Sequence, residues 1–365
     1  MLIRTLVYSG FRNLRDGKLD VSSKQVILKG ENGQGKTNLL EALYILCYGS
    51  SFRTQNLKDA VKKDSDYFSL RSFFTDSNGL PRSNEVDFDG SEKTIIVDGK
   101  QIRDRKELIY TVPCIVFSHD DMEIVRGEPE NRRKFFNQIL SMYDPVYFED
   151  FRKYSRLLRQ RNTVIKDRRL NIIDVYDTSL AKAAIPLIKK RREFCDEFFK
   201  IFPSYYSKVS GYDSSIKIEY RPSWSDDMSE SDIEERLINQ RETDIRMNTT
   251  TSGPHRDKFV ITDEKGIFAN TASTGQMRLA SLILRSAQAQ FYREKTGQDP
   301  VILIDDVLLE LDSQRRARYL EALGNYSQAF FTFLPEEKYF SDMLDLSDTK
   351  IYNVSEGGFE LESER

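Results

Sequence analysis

Short apolar runs bounded by Gly, Asn and Ser mark residues 2–8 and 25–29 as strands, and 85–88, 93–97 and 112–117 continue the pattern. Asp98-Gly99 separates 93–97 from Lys100-Gln101-Ile102. Two residues that tolerate positive φ between such runs predict a tight hairpin. The pattern changes near Asp120. From 144 to 210 glycine is absent and apolar residues fall at helical spacing. Phe151, Tyr154, Leu158 and Ile165 share one face of a first helix, and a break at 171–174 leads to a second carrying Ala181, Ile185, Leu187 and Phe194. Two helices with a short connection predict an antiparallel hairpin, which would be about 45 Å long for about thirty residues each. In the acidic, Ser-rich stretch that follows, Ser231 and Glu234 are spaced as a capping box. Strand character returns at 258–262, 301–304 and 329–333, a helix is expected over 275–293, and 350–362 reads as a closing hairpin. The expected architecture is an α/β head with a β-rich lobe, made of 1–120 and 247–365, and an inserted short helical arm or lid, 121–246.

Composition narrows the classes. Of 365 residues 39% are apolar and 31% charged, and no apolar run approaches the length of a membrane span. The first residues read as a strand and turn rather than a targeting peptide. Cys47, Cys114 and Cys195 lie far apart in apolar contexts, from which a reducing, cytoplasmic setting is expected. With those and only His119 and His255, zinc-finger spacing is excluded. The net charge of −3 confines any nucleic-acid contact to a local patch.

The candidate chemistry begins at Gly30-Glu31-Asn32-Gly33-Gln34-Gly35-Lys36-Thr37, a full G-x-x-x-x-G-K-[ST] match with Asn38 beyond it. A strand runs in, and an all-round apolar helix runs out to Gly49. Glycines let backbone N–H groups converge on phosphate oxygens at the helix N-terminus. Lys36 would reach the β- and γ-phosphates of ATP, and the Thr37 hydroxyl would ligate Mg²⁺. The partner element is an apolar strand ending in acid, Val301-Ile302-Leu303-Ile304-Asp305-Asp306. Asp305 would hold the magnesium, and Asp306 would orient or deprotonate the attacking water.

Ser273-Thr274-Gly275-Gln276 opens a further apolar helix and offers a hydroxyl, an unhindered N–H and a helix N-terminus. Alone it is an N-cap. The order of phosphate loop, S-x-G-Q, acidic strand and Leu311-Asp312 is the layout of ABC-type ATPases, in which two heads sandwich two ATPs. A transporter's nucleotide-binding subunit shares that sandwich. It would have a much shorter interval than that from Thr37 to Ser273, and a histidine after 329–333, where Thr332-Phe333-Leu334 stands. An ATP-locked protein–protein switch without direct DNA binding is the other alternative.

Seven segments extend the likeness: GFRNL (10–14), GENGQGKTNLLEALYIL (30–46), SFR (51–53), GEPENRRKFF (127–136), TSGPHRD (251–257), STGQMRLASLILRSA (273–287) and IDDVLLELD (304–312). On these the chain resembles the RecF family of bacterial DNA-repair ATPases over almost its whole length. The resemblance implies ATP-driven homodimerisation and binding of duplex DNA and single-strand/duplex junctions, and Asp306, one methylene shorter than the glutamate of many relatives, predicts slow hydrolysis. It also implies help in loading the strand-exchange recombinase, with the mediators RecO and RecR as partners. His119, Lys258 and the acid-free RRKFFNQ depart from the family pattern outside the ATP core. By analogy with related heads Arg12 is a candidate for the α-phosphate, or else a solvated turn residue. His255 and Arg256 either line an interface or belong to a domain-joining turn.

Residues 152–169 hold eight basic side chains against one acid. Arg152, Arg156 and Arg159 share a helix face, and Lys189, Lys190 and Arg191 lie on the next helix. Such a stripe suits salt-dependent, sequence-independent phosphate contacts, with an ordinary solvated face as the alternative. No aromatics interleave there to stack on single strands. Residues 131–134, Asn-Arg-Arg-Lys, form a weaker basic patch.

Overall fold

The computed structural model describes residues 1–211, 215–337 and 346–364. The chain divides into two compact units, Met1–His119 with Gln288–Arg365, and Asp120–Ala287.

The first unit opens with β1 (Leu2–Ser9), β2 (Gly17–Asp20), β3 (Gln25–Lys29) and α1 (Lys36–Tyr48), followed by β4 (Phe68–Thr75), β5 (Pro81–Phe88), β6 (Lys93–Val97), β7 (Lys100–Ile102), α2 (Lys106–Thr111) and β8 (Cys114–Phe117). An antiparallel sheet has the order β2-β1-β4-β5-β6-β7. Its last hairpin turns at Asp98 and Gly99, both at positive φ (49° and 75°), as the sequence predicts. In β4, Phe68, Leu70, Ser72 and Phe74 point inward, while Phe73 points out and is 42% exposed. The doubled phenylalanine masks the period-2 alternation, so this strand was not anticipated.

The chain then builds the second unit: α3 (Met122–Arg126), α4 (Pro129–Tyr143), α5 (Pro145–Lys166), α6 (Ile173–Ser210), β9 (Lys217–Arg221), α7 (Glu230–Asn239), α8 (Arg241–Met247), β10 (Lys258–Asp263), β11 (Gly266–Ile267) and α9 (Phe268–Thr271). Asp144 caps α5 by accepting from the N–H groups of Val146 and Tyr147, each at 2.9 Å. The helices α5 and α6 run antiparallel, because Arg161 meets Asp177 (2.6 Å) near one end and Tyr147 meets Arg191 (3.2 Å) towards the other. Arg161 is fully buried and divides its guanidinium between Asp177 and Asp244, 2.6 Å from each. The capping box of α7 is Ser229 with Asp232, not Ser231 with Glu234, which lie inside the helix. The shorter acid reaches back as well as a glutamate would, and Glu234 instead accepts from the Thr178 hydroxyl on α6.

Residues 247–287, joined to the head in the sequence reading, pack with the inserted elements. β10 pairs antiparallel with both β9 and β11. Phe259 on β10 enters an aromatic cluster with Phe136 and Phe199, its ring centroid 4.3 Å from that of Phe136. These long-range contacts, invisible to local pattern, draw the boundary at Ala287 rather than 246.

The helix α10 (Thr274–Thr296) carries the chain back to the first unit. There β12 (Val301–Ile304), α11 (Ser313–Ala322), β13 (Gln328–Phe333), β14 (Thr349–Ser355) and β15 (Gly358–Glu364) complete a mixed sheet of order β15-β14-β3-β13-β12-β8. All but β15 run parallel with their neighbours. The strands β3, β12 and β13 are almost wholly buried, which explains the apolar runs 26–28, 301–304 and 329–331 within them. Gln328, also buried, accepts from the Ile3 N–H and donates to the carbonyls of Ile3, Val21 and Ser23, tying β13 to the start of β1. Among the described residues no helix is long and apolar enough to cross a membrane, and the three cysteines are buried and free.

Candidate nucleotide site

The C-terminal ends of β3, β13 and β12 lie side by side, the edge at which open α/β sheets bind ligands. From β3 the backbone turns through 30–35 into α1. Gly33 (φ 79°) and Gly35 (φ 118°) adopt the left-handed region that favours glycine. Gly35 is the N-cap of α1 and has no side chain to cap with, so the first-turn N–H groups are left for a ligand.

The loop is held from two sides. Asn13 Nδ2 donates to the Gly33 carbonyl at 2.9 Å and Asn38 Nδ2 donates to Asn13 Oδ1 at 2.7 Å. On the other flank the β14–β15 turn donates from the Gly357 N–H to the Gln34 carbonyl (2.9 Å), and from the Glu356 N–H to Gln34 Oε1 (2.7 Å). A Cβ at Gly357 would sit 2.0 Å from the Asn13 carbonyl oxygen, so only glycine lets these segments meet. Nothing in the sequence places the last hairpin against the phosphate loop. Register does it, because β14 pairs with β3.

Lys36 is 3% exposed, and its ammonium donates to the carbonyls of Gly30 (2.6 Å) and Glu31 (3.2 Å). It lies 3.8 Å from Asp306 Oδ2. The Thr37 hydroxyl donates to Asp305 Oδ1 at 2.8 Å. The two residues assigned to one cation thus converge from β3–α1 and β12, a hydroxyl and a carboxylate of the kind Mg²⁺ prefers. Burial, reinforced by Asp306, pushes the Asp305 carboxyl above the ordinary carboxylate range, and the Thr37 bond opposes that shift.

Asp306 is itself at φ 53°, an uncommon conformation for a non-glycine residue. Thr332 at the end of β13 holds it there. Its hydroxyl accepts from the Asp306 N–H at 2.7 Å and donates to Asp306 Oδ1, also at 2.7 Å. From sequence alone Thr332 stands out only as a position lacking histidine. Its adjacency to the acidic strand follows from the parallel register of β12 and β13.

Arg12 is also at positive φ (48°), in the turn after β1. Its guanidinium forks onto Glu41 of α1, with Nε to Oε2 at 2.9 Å and Nη2 to Oε1 at 2.7 Å, and Nη1 donates to the Asp59 carbonyl. Glu41 is fully buried and also accepts from Arg53 Nη1 at 3.0 Å, which links the 51–53 segment to this network. Arg12 is thus no solvated turn residue: it braces α1. A glutamate inside an otherwise apolar helix was the signal for Glu41.

The S-x-G-Q segment lies exposed at the start of α10. Ser273 and Gln276 cap it reciprocally: the Gln276 N–H donates to Ser273 Oγ (3.3 Å) and the Ser273 N–H to Gln276 Oε1 (2.8 Å). A Cβ at Gly275 would meet nothing within 4 Å, and its φ is not positive. Neither packing nor backbone conformation therefore requires glycine at this position.

Of the basic residues assigned to DNA, Arg152, Arg156, Arg159 and Lys189 are exposed. Arg191 is a correction: it is 1% exposed and bound to Asp257 Oδ2 and the Pro254 carbonyl, each at 2.6 Å. The spacing 187, 191, 194, 198 puts it on the buried face of α6, a periodicity that the surrounding run of lysine and arginine disguises. Lys190 is half-buried and ion-paired with Asp144.

His255 sits in the second unit between the Tyr154 hydroxyl (2.8 Å from Nδ1) and the Thr250 carbonyl (3.0 Å from Nε2). The carbonyl can only accept, so Nε2 carries the proton and Nδ1 accepts from tyrosine. Burial, together with nearby Arg256, Arg133 and Arg191, pushes its pKa down to about 4. A histidine held neutral in the fold but free to charge when unfolded contributes stability above its unfolded pKa, near 6.5, that is lost as pH falls toward about 4. The full effect is at most about 3 kcal/mol. Thermal melts of His255→Gln against the parent chain should therefore differ less at pH 5 than at pH 7.

Taken together, a phosphate loop, a convergent hydroxyl–carboxylate pair, a second acid and an exposed S-x-G-Q helix start define an ABC-type P-loop ATPase head. A family model described as an AAA domain matches residues 5–353. The DNA replication and repair protein RecF of Treponema pallidum is 42% identical over 349 residues, 95% of this chain and 97% of the relative. Its Clostridium botulinum counterpart is 32% identical over 362 residues, 98% of this chain and 99% of the relative. The chain belongs to the RecF family. Solved structures of the recombination mediator protein RecF in the RecFOR pathway superpose with TM-scores of 0.87 (with ATPrS, 27% identity) and 0.89 (with ATP, 26% identity), each covering 99% of this chain and 98% of the other. An Smc head, at 13% identity and TM-score 0.58 over 99% of this chain and 97% of the other, shares the fold.

Proposed function

We propose that this protein binds ATP with Mg²⁺, dimerises through its S-x-G-Q segment, hydrolyses ATP slowly, and binds duplex or gapped DNA in recombinational repair. The observation that carries the reading is the 2.8 Å bond from Thr37 to Asp305, with Asp306 beside Lys36. It brings the two halves of a phosphate-transfer site together. Mg²⁺, when bound, would neutralise charge on the phosphate oxygens, and Thr37 and Asp305 are the residues that would hold it. Lys36 and the loop N–H groups bind and orient the phosphates. Asp306, fixed by Thr332, orients the attacking water and takes its proton.

Gly275 supports the dimer: with no internal reason to be glycine, it suits close approach by a phosphate on a second copy. Arg152, Arg156, Arg159 and Lys189 are the residues proposed to contact DNA phosphates, and RecO and RecR the proposed partners in loading the recombinase. The proposed division of labour is an ATPase head and a helical arm. The test is oligomeric state by light scattering with ATP. The parent chain should shift from monomer to dimer, whereas Ser273→Arg should bind ATP normally and stay monomeric. Normal dimers from that variant would sink the sandwich.

A further inference from the structure

We propose that Arg133 and Arg256 form a phosphate-binding site in the second unit, separate from the basic stripe of α5. Arg133 stands on α4 and donates from Nη1 to the Asp257 carbonyl at 3.1 Å. Arg256 ends a single turn, Pro254–Arg256, and donates from Nε and Nη2 to the Thr250 carbonyl at 3.3 and 3.2 Å. Each guanidinium has five N–H donors, so most remain for a ligand.

The acids that offset their charge, Glu130 and Asp257, are already engaged by other groups. The nearest acid on α4, Glu130, is ion-paired with Lys134 at 2.9 Å. Asp257 already accepts from Arg191 (2.6 Å), the Tyr220 hydroxyl (2.7 Å) and the Ser223 N–H (2.8 Å). Arg133 is half-buried and Arg256 exposed, with buried Arg191 behind them. Burial, with repulsion from Arg191 and Arg256, holds the Arg133 guanidinium below its ordinary value against the pull of Glu130 and Asp257, and the same three arginines help keep His255 neutral. A fold that gathers three guanidiniums around one occupied carboxylate lowers its energy when an anion arrives. Two arginine forks suit the tetrahedral oxygens of phosphate. The phosphate can come from a nucleic-acid backbone or from a free polyphosphate. The first source rests on the DNA reading above.

The test uses the full-length chain with Arg133→Gln/Arg256→Gln, and Arg133→Lys/Arg256→Lys as the charge-preserving control. Glutamine keeps a donor at the Nε position that Arg256 uses toward the Thr250 carbonyl, and thermal melts without ligand check the fold. Duplex affinity is measured by anisotropy over a series of salt concentrations. Two lost phosphate contacts should lower the slope of log affinity against log salt by about 2, and the lysine pair should restore it. A second arm measures pyrophosphate binding by calorimetry on chains carrying Lys36→Ala, with and without the glutamine pair. A reduced slope assigns the site to nucleic acid. Loss of pyrophosphate binding alone assigns it to free polyphosphate. An unchanged slope together with unchanged pyrophosphate binding overturns the proposal. Failure of the parent chain to bind duplex at any salt removes the DNA reading instead, and the pyrophosphate arm then decides alone.

Discussion

Asp306→Asn should lower ATP turnover by about a hundredfold or more while leaving ATP binding intact, the range expected when a general base is removed. The substitution isolates the chemistry because the backbone conformation of Asp306 and its bonds to Thr332 survive it. Asparagine tolerates the left-handed φ of 53°, and its carbonyl oxygen still accepts from the Thr332 hydroxyl. The backbone N–H that Thr332 also engages is untouched. What disappears is a negative charge 3.8 Å from Lys36 and the capacity to accept a proton. ATP-bound dimers should therefore accumulate, readable by size-exclusion chromatography with ATP. Turnover above a tenth of the parent rate would remove Asp306 from the catalytic role.

Lys36→Ala should weaken ATP binding by about a hundredfold or more, since two charge-assisted bonds to phosphate are each worth about 1.5–3 kcal/mol. Lys36 is buried and already directed along the loop by the Gly30 and Glu31 carbonyls, so its ammonium reaches a phosphate with little ordering cost. No other lysine belongs to the loop. Fluorescent-nucleotide titration checks the affinity, and the thermal melt without nucleotide should move far less than the affinity does.

What was legible in the chain follows physical range. The strands at 25–29 and 301–304 and the Asp98-Gly99 turn are written in local pattern: unbroken apolar runs, and residues that tolerate positive φ. The phosphate loop and acidic strand were legible for the same reason. Thr332 and the Gly357 turn were not, because strand register brings them to the site from distant positions, and the pairing of Glu41 with Arg12 spans from α1 to the turn after β1. Arg191 shows the opposite failure: a run of like charges reads as surface, yet one member turns inward onto Asp257. The boundary near 287 depends on β10 pairing with β9, which no composition shift announces.

The most direct test of the central claim is steady-state ATP hydrolysis at low salt without DNA, with duplex and with single strands, using Asp306→Asn as the blank. Slow turnover accelerated by duplex DNA and absent from the variant is the predicted result. Turnover indifferent to both DNAs would contradict a DNA-coupled ATPase and favour a switch between protein partners.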